Sequence, residues 1–194
     1  MRRIAVIAPV MVGLLAAGGA QAMAAPAVHT IAVPSHDSFG PLADLAVQRL
    51  LVSDQVAAAK FGTDKPIDDP AREQQVLADA RTRAVALGID PDATAKFFQG
   101  QIDASKTVQR GLFARWTEHP EQAPTTRPDL TVIRGQLDQL TTELLQQLVA
   151  TNDIRQPTAR CGIQLFRAEL VSELRTHLDQ LHRDALRVAL APVC

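Results

Sequence analysis

The feature that most restricts this chain is its punctuation: apolar residues recur at three- and four-residue steps, and Asp-Pro pairs stand at the entrances of two such stretches. Leu42, Leu45, Val52 and Val56 mark a first run from about Phe39 to Phe61. Steps of three and four are the period of an α-helix, and no alternating apolar run offers a strand. Asp69-Pro70 reads as an N-cap followed by proline at the first helical position, opening a second helix to about Leu87 that stops at Gly88. Asp90-Pro91 repeats the device for a third helix reaching about Glu118. Prolines make a loop of His119 to Pro128, Asp129 starts a fourth helix to about Thr151, and a last helical region covers about Gly162 to Leu190. The fold class that follows is all-α, a single-domain helical bundle with short connections. A chain of 194 residues, 46% of them hydrophobic, can bury a real core.

The N-terminus has a different grammar. Met1-Arg2-Arg3 precedes an apolar run from Ile4 to about Ala17 and the small-residue site Ala20-Gln21-Ala22. That order is a secretory signal peptide over residues 1–22, with Ala24 or Ala25 as rival cleavage points, leaving 38–194 as the folded domain. The apolar run falls short of the ~20 residues of a spanning helix, which disfavours a membrane anchor and leaves no membrane partner after cleavage. A formal net charge of -1 provides no basic field for nucleic acid.

Export to the periplasm or the medium makes a disulfide the default for Cys161 and Cys194, against two unpaired buried thiols. No histidines stand near them at ligand spacing, so a metal site is not expected. One straight helix cannot join a bridged pair, because ~33 residues at ~1.5 Å each span ~50 Å while bridged Cα atoms sit about 5.5 Å apart. The segment folds back on itself or the bond joins two chains. We expect an intrachain staple with a break in the middle, although Phe166, Leu170, Leu174, Leu178 and Leu181 continue the period without an evident breaker.

Functional information lies where polar residues interrupt apolar rows. The first helix reads Leu42, Leu45, Arg49, Val52, Val56, Lys60, and the eleven-residue step between its two cations is close to three turns, which stacks them in nearly one direction. The third helix places Ser105 and Gln109 in a row with Phe98, Ile102 and Leu112, and the fourth places Arg134 with Leu130, Leu137 and Leu144. Arg72, flanked by Asp69 and Glu73, would add a fourth interior cation. Each side chain could instead snorkel to the rim or find a carboxylate on a neighbouring helix. Buried cations without counter-ions cost several kcal/mol each, so a surplus of them implies a small, multiply anionic ligand.

These residues resemble the AroQ chorismate mutases, specifically the exported gamma class. The resemblance rests on "RLLVSDQVAAAK" with Arg49 and Lys60, "DKPIDDPAREQQVL" with Asp69, Arg72 and Glu73, and "FFQGQIDASKTVQ" with Ser105 and Gln109. "LGIDPD" and "PDLTVIR", which supplies Arg134, extend it from about Leu42 to Leu148. It implies an AroQ-type bundle with a disulfide-stapled C-terminal region, a homodimer, and conversion of chorismate to prephenate without metal or organic cofactor. It further implies that Arg49 and Arg134 clamp substrate carboxylates, and that Arg72, oriented by Asp69, binds at or near the enolpyruvyl carboxylate. Lys60 and Gln109 would donate to the ether oxygen, Glu73 accept from the ring hydroxyl, and Ser105 contact the ring carboxylate.

Some gamma-class members carry Glu and Thr where this chain has Gln109 and Ser105, and a relative has glutamine where this chain has Val76. A glutamine donates without needing a proton, so activity across neutral pH is expected. The alternatives are an isochorismate pyruvate lyase of the same fold and a non-catalytic helical adaptor. His177 and His182 are five apart, a spacing that splits their directions, and Trp116 reads as a packing residue.

Overall fold

A computed structural model describes residues 38–194; the signal peptide assigned to 1–22 lies outside the described residues. Among these residues there are six α-helices: α1 Gly40–Lys60, α2 Pro70–Leu87, α3 Pro91–Glu118, α4 Leu130–Ala150, α5 Ala159–Thr176 and α6 Gln180–Leu190. The starts follow local chemistry. Asp69 accepts from the Arg72 amide, Asp90 from that of Ala93 and Asp129 from that of Thr131, each satisfying a donor that the first helical turn leaves free. Gly88 ends α2 at φ 72°, a conformation that costs a residue with a Cβ.

The N-terminal half of α1 is buried on most of its circumference. Leu42, Ala43, Ala46, Val47 and Leu50 are all within the core, because α3, α4, α5 and α6 all pack against this helix. The single apolar row read from the sequence is thus one edge of a wider buried surface. The core joins these residues to Phe97, Phe98 and Val108 of α3, Leu144, Leu145 and Leu148 of α4, and Leu186 and Leu190 of α6. A second, smaller cluster of Val52, Ala59, Ile133 and Leu140 seals α1 against α4. Phe61, Phe113 and Trp116 stack edge to face where α1 ends against α3, so Trp116 is indeed a packing residue.

Cys161 and Cys194 are bridged within the chain, with Cα atoms 5.9 Å apart. The break that this requires falls at His177, which takes the left-handed conformation at φ 52° and ends α5, while Asp179 caps α6 through the His182 amide. A left-handed histidine costs roughly 1 kcal/mol more than a glycine there, a cost met by the surrounding structure and not announced by a glycine in the sequence. The fold-back also changes the reading of the leucine run. Phe166, Leu170 and Leu174 point outward at 62%, 42% and 65% exposure, and only Leu178, past the break, is buried. The inward face of α5 is Cys161, Leu165 and Ser172.

Candidate active site

The second half of α1, the first turns of α2, the middle of α3 and the first half of α4, with the connection 61–69, enclose a cleft of about 1030 Å³. Its lining includes Arg49, Lys60, Asp69, Arg72, Glu73, Ser105, Gln109 and Arg134, the whole set that the sequence singled out. Only one of the four cations is interior. Arg49 is 8% exposed, and its guanidinium donates to the Leu137 carbonyl at 3.3 Å and the Thr141 hydroxyl at 3.4 Å. Desolvation lowers its pKa to about 10, with Asp138 opposing. Lys60 is half-buried and donates to the carbonyls of Pro66 and Ile67 at 2.9 and 3.4 Å; burial and Arg134 lower its pKa against the pull of Asp69, Asp68 and Glu73.

Arg72 and Arg134 are exposed, contrary to the interior position expected of them. Leu130 and Leu137, the nearest apolar neighbours in Arg134's row, line a cleft open to water, and periodicity alone cannot separate a cleft wall from a core. Asp69 does not reach the Arg72 guanidinium either. Its carboxylate is occupied by the Arg72 backbone N–H at 3.1 Å, and the guanidinium meets Gln75 at 3.4 Å. Among the described residues, none of Arg49, Lys60, Arg72 and Arg134 forms an ion pair, whereas Arg81, Lys106, Arg110, Arg115 and Arg175 all do.

On the α3 wall, Gln109 is 3% exposed and its amide donates to Ser105 at 3.1 Å, while Ser105 also receives the Ser53 hydroxyl at 2.8 Å. The Gln109 carbonyl oxygen is buried with no donor. Sequence reasoning missed Ser53 and Thr141, although Ser53 lies one turn beyond Arg49 on the row already marked. It also missed Lys106, whose ammonium lies 2.9 Å from Glu73.

A secreted chorismate mutase of Mycolicibacterium smegmatis is 36% identical over 154 residues, covering 79% of this chain and 84% of that protein. The chain belongs to the chorismate mutases. The family described as chorismate mutase type II matches residues 41–110, the stretch that carries all of the marked residues except Arg134. A secreted chorismate mutase of Mycobacterium tuberculosis is 35% identical over 153 residues, 79% of this chain and 76% of that protein. The crystal structure of a chorismate mutase from Burkholderia thailandensis superposes with a TM-score of 0.76 at 39% identity, covering 80% of this chain and 98% of that one. At 80% of the chain, that likeness extends well beyond the stretch 41–110.

Proposed function

We propose that this exported chorismate mutase converts chorismate to prephenate in the cleft between α1 and α4, with residues 38–194 as its catalytic domain and 1–22 as a removed leader. The observation that carries the site is the set of four cations on one cleft, none of them in an ion pair. A dicarboxylate supplies the missing counter-charge. Arg49 and Arg134 grip its carboxylates in bidentate fashion, and Arg72 at the mouth meets the enolpyruvyl group.

The reaction is a concerted [3,3] rearrangement, so the protein has two tasks. It holds the compact conformer in which the bond-forming carbons meet, and it stabilises negative charge developing on the breaking ether oxygen. Lys60 and Gln109 are the donors for the second task. With the Gln109 amide turned over, Ser53 donates to Ser105, Ser105 donates to the Gln109 carbonyl, and the NH₂ group is released toward the substrate. That arrangement satisfies the orphaned oxygen and frees a neutral donor. Ser105 lies beside the ring carboxylate, and Glu73 accepts from the ring hydroxyl. Every one of these groups comes from one chain, so each subunit of the expected homodimer holds a whole site; light scattering showing only monomer at working concentration would remove the dimer and leave the site.

The test is purified mature protein with chorismate, following loss of its absorbance and identifying the product. Prephenate is expected; salicylate with pyruvate would mark the lyase instead. Arg49→Ala and Lys60→Ala should each lose turnover with helical circular dichroism intact, and collapse of the fold in both would assign these cations a structural role.

A further inference from the structure

Helix α3 presents two neighbouring rows. Ser105 and Gln109 line the cleft, and Lys106 and Arg110, each one residue later and so turned by about 100°, face the start of α2. The Lys106 ammonium lies 2.9 Å from Glu73 Oε2, 3.3 Å from Asp103 and 3.7 Å from Asp68, with 15% of its side chain exposed. Arg110 holds both oxygens of Asp68 at 2.7 and 2.8 Å. The other oxygen of Glu73, Oε1, receives only a long bond from the Asp69 amide at 3.4 Å.

A carboxylate in a cleft shaped for a dianion works against binding by repulsion. An ammonium at hydrogen-bond distance removes most of that repulsion and fixes the carboxylate's rotamer. It leaves the second oxygen to accept a proton from a neutral hydroxyl. We propose that Lys106 is a positioning residue, holding Glu73 as a charge-compensated acceptor so that this end of the cleft selects a ligand hydroxyl and rejects a further carboxylate. This rests on the reading that Glu73 accepts from the ring hydroxyl.

The charged groups around Glu73 are Lys60 from α1, Asp68 and Asp69 from the preceding loop, and Asp103, Lys106 and Arg110 from α3. Without Lys106, three carboxylates face Glu73 against Lys60 and an Arg110 already committed to Asp68. The Glu73 side chain then loses the contact that fixes its rotamer, and this end of the cleft repels an anionic ligand.

Lys106→Met should therefore lower kcat/KM roughly tenfold, as expected for loss of one charge-assisted positioning contact. Lys106→Arg should restore it. In a Glu73→Ala background, Lys106→Met should add nothing, because the partner it positions is gone. A Lys106→Met enzyme with the wild-type kcat/KM, or one losing as much with Ala at 73 as with Glu, overturns the proposal while leaving the Glu73 reading standing. A Glu73→Ala enzyme with unchanged kcat/KM overturns both. Should Lys106→Met fail to fold, Lys106→Gln keeps a donor without the charge and must lower kcat/KM in the same direction.

Discussion

Replacing Arg49 by methionine should move stability and activity in opposite directions. The guanidinium is buried between α1 and α4 with no carboxylate in ion-pair contact, and its two recorded protein bonds are long, 3.3 and 3.4 Å. Burial lowers its pKa to about 10, so it stays charged at neutral pH in folded and unfolded chains alike. At about 1.4 kcal/mol per pH unit, that displacement burdens the folded state by roughly 3 kcal/mol. Losing two weak hydrogen bonds takes back roughly 1–2 kcal/mol. Neither acceptor is left stranded, since the Thr141 hydroxyl already bonds the Leu137 carbonyl at 2.7 Å. Methionine has the length and flexibility to lie against the neighbouring Ile133 and Leu137. The net expectation is a gain of roughly 1–2 kcal/mol, or about 2–8 °C in Tm for a domain of this size, with chorismate turnover abolished. Urea and thermal denaturation measure the first, and the product assay the second. A saturating dicarboxylate such as malate should raise the Tm of the wild type and not of the variant. An Arg49→Met protein that melts lower than wild type, or that still turns over chorismate, refutes the reasoning.

The disulfide closes a separation of 33 residues, so Cys161→Ser with Cys194→Ser should cost roughly 3–4 kcal/mol by urea denaturation; equal stability with and without reductant in the wild type would contradict this. His182 is 7% exposed and lies 2.6 Å from Asp179 and 2.9 Å from Asp54, tying α6 to α1. The hydrogen bond to Asp54 raises its pKa against burial, with Asp179 adding to the rise. A raised folded pKa means that its stabilisation is complete below about 6.5, the unfolded value, and disappears as pH climbs through the folded value. Burial opposes ionisation of Asp179, but hydrogen bonds from His182 and Arg115 win and hold it at about 2, so its contribution is present above the usual carboxylate range and lost as pH falls through that value. The stability advantage of wild type over His182→Gln should therefore shrink on the alkaline side, and a difference that does not vary with pH would sink the assignment. Gln109→Glu places a carboxyl where a donor is needed, so that variant should work only at acid pH while the wild type works across neutrality; equal activity of the two at alkaline pH would dismiss Gln109 as the donor.

Helix boundaries were legible wherever they depend on chemistry within a few residues. Asp69-Pro70, Asp90-Pro91, Gly88 and Asp129 each act through their own side chain or φ, and each stands where the reading put it. The turn at His177 was not legible, because its conformation is imposed by the bridge between α5 and the C-terminus and by the packing of α6. Only Asp179, a cap without a proline after it, hinted at a restart. The site divided in the same way. Arg49, Lys60, Ser105 and Gln109 declared themselves as polar groups on apolar rows. Lys106 sits on a polar row, and its meaning comes from Asp68 and Glu73 across the cleft, a relation that no single helix records.

The exposure of Arg72 and Arg134 completes the electrostatic argument. A cation in water costs the fold little and binds weakly, since water screens it. Of these cations Arg49 carries the heaviest desolvation, and in the proposed mechanism its unscreened charge at the floor of the cleft holds one carboxylate. On the same proposal the mouth cations become strong only when the ligand fills the cleft and expels the water around them, so their desolvation is charged to the complex and not to the free protein. One arginine inside and two outside would thus keep the empty protein stable while the filled site is strongly cationic. Arg134→Met should therefore weaken catalysis and leave the urea midpoint unchanged, whereas Arg49→Met moves both.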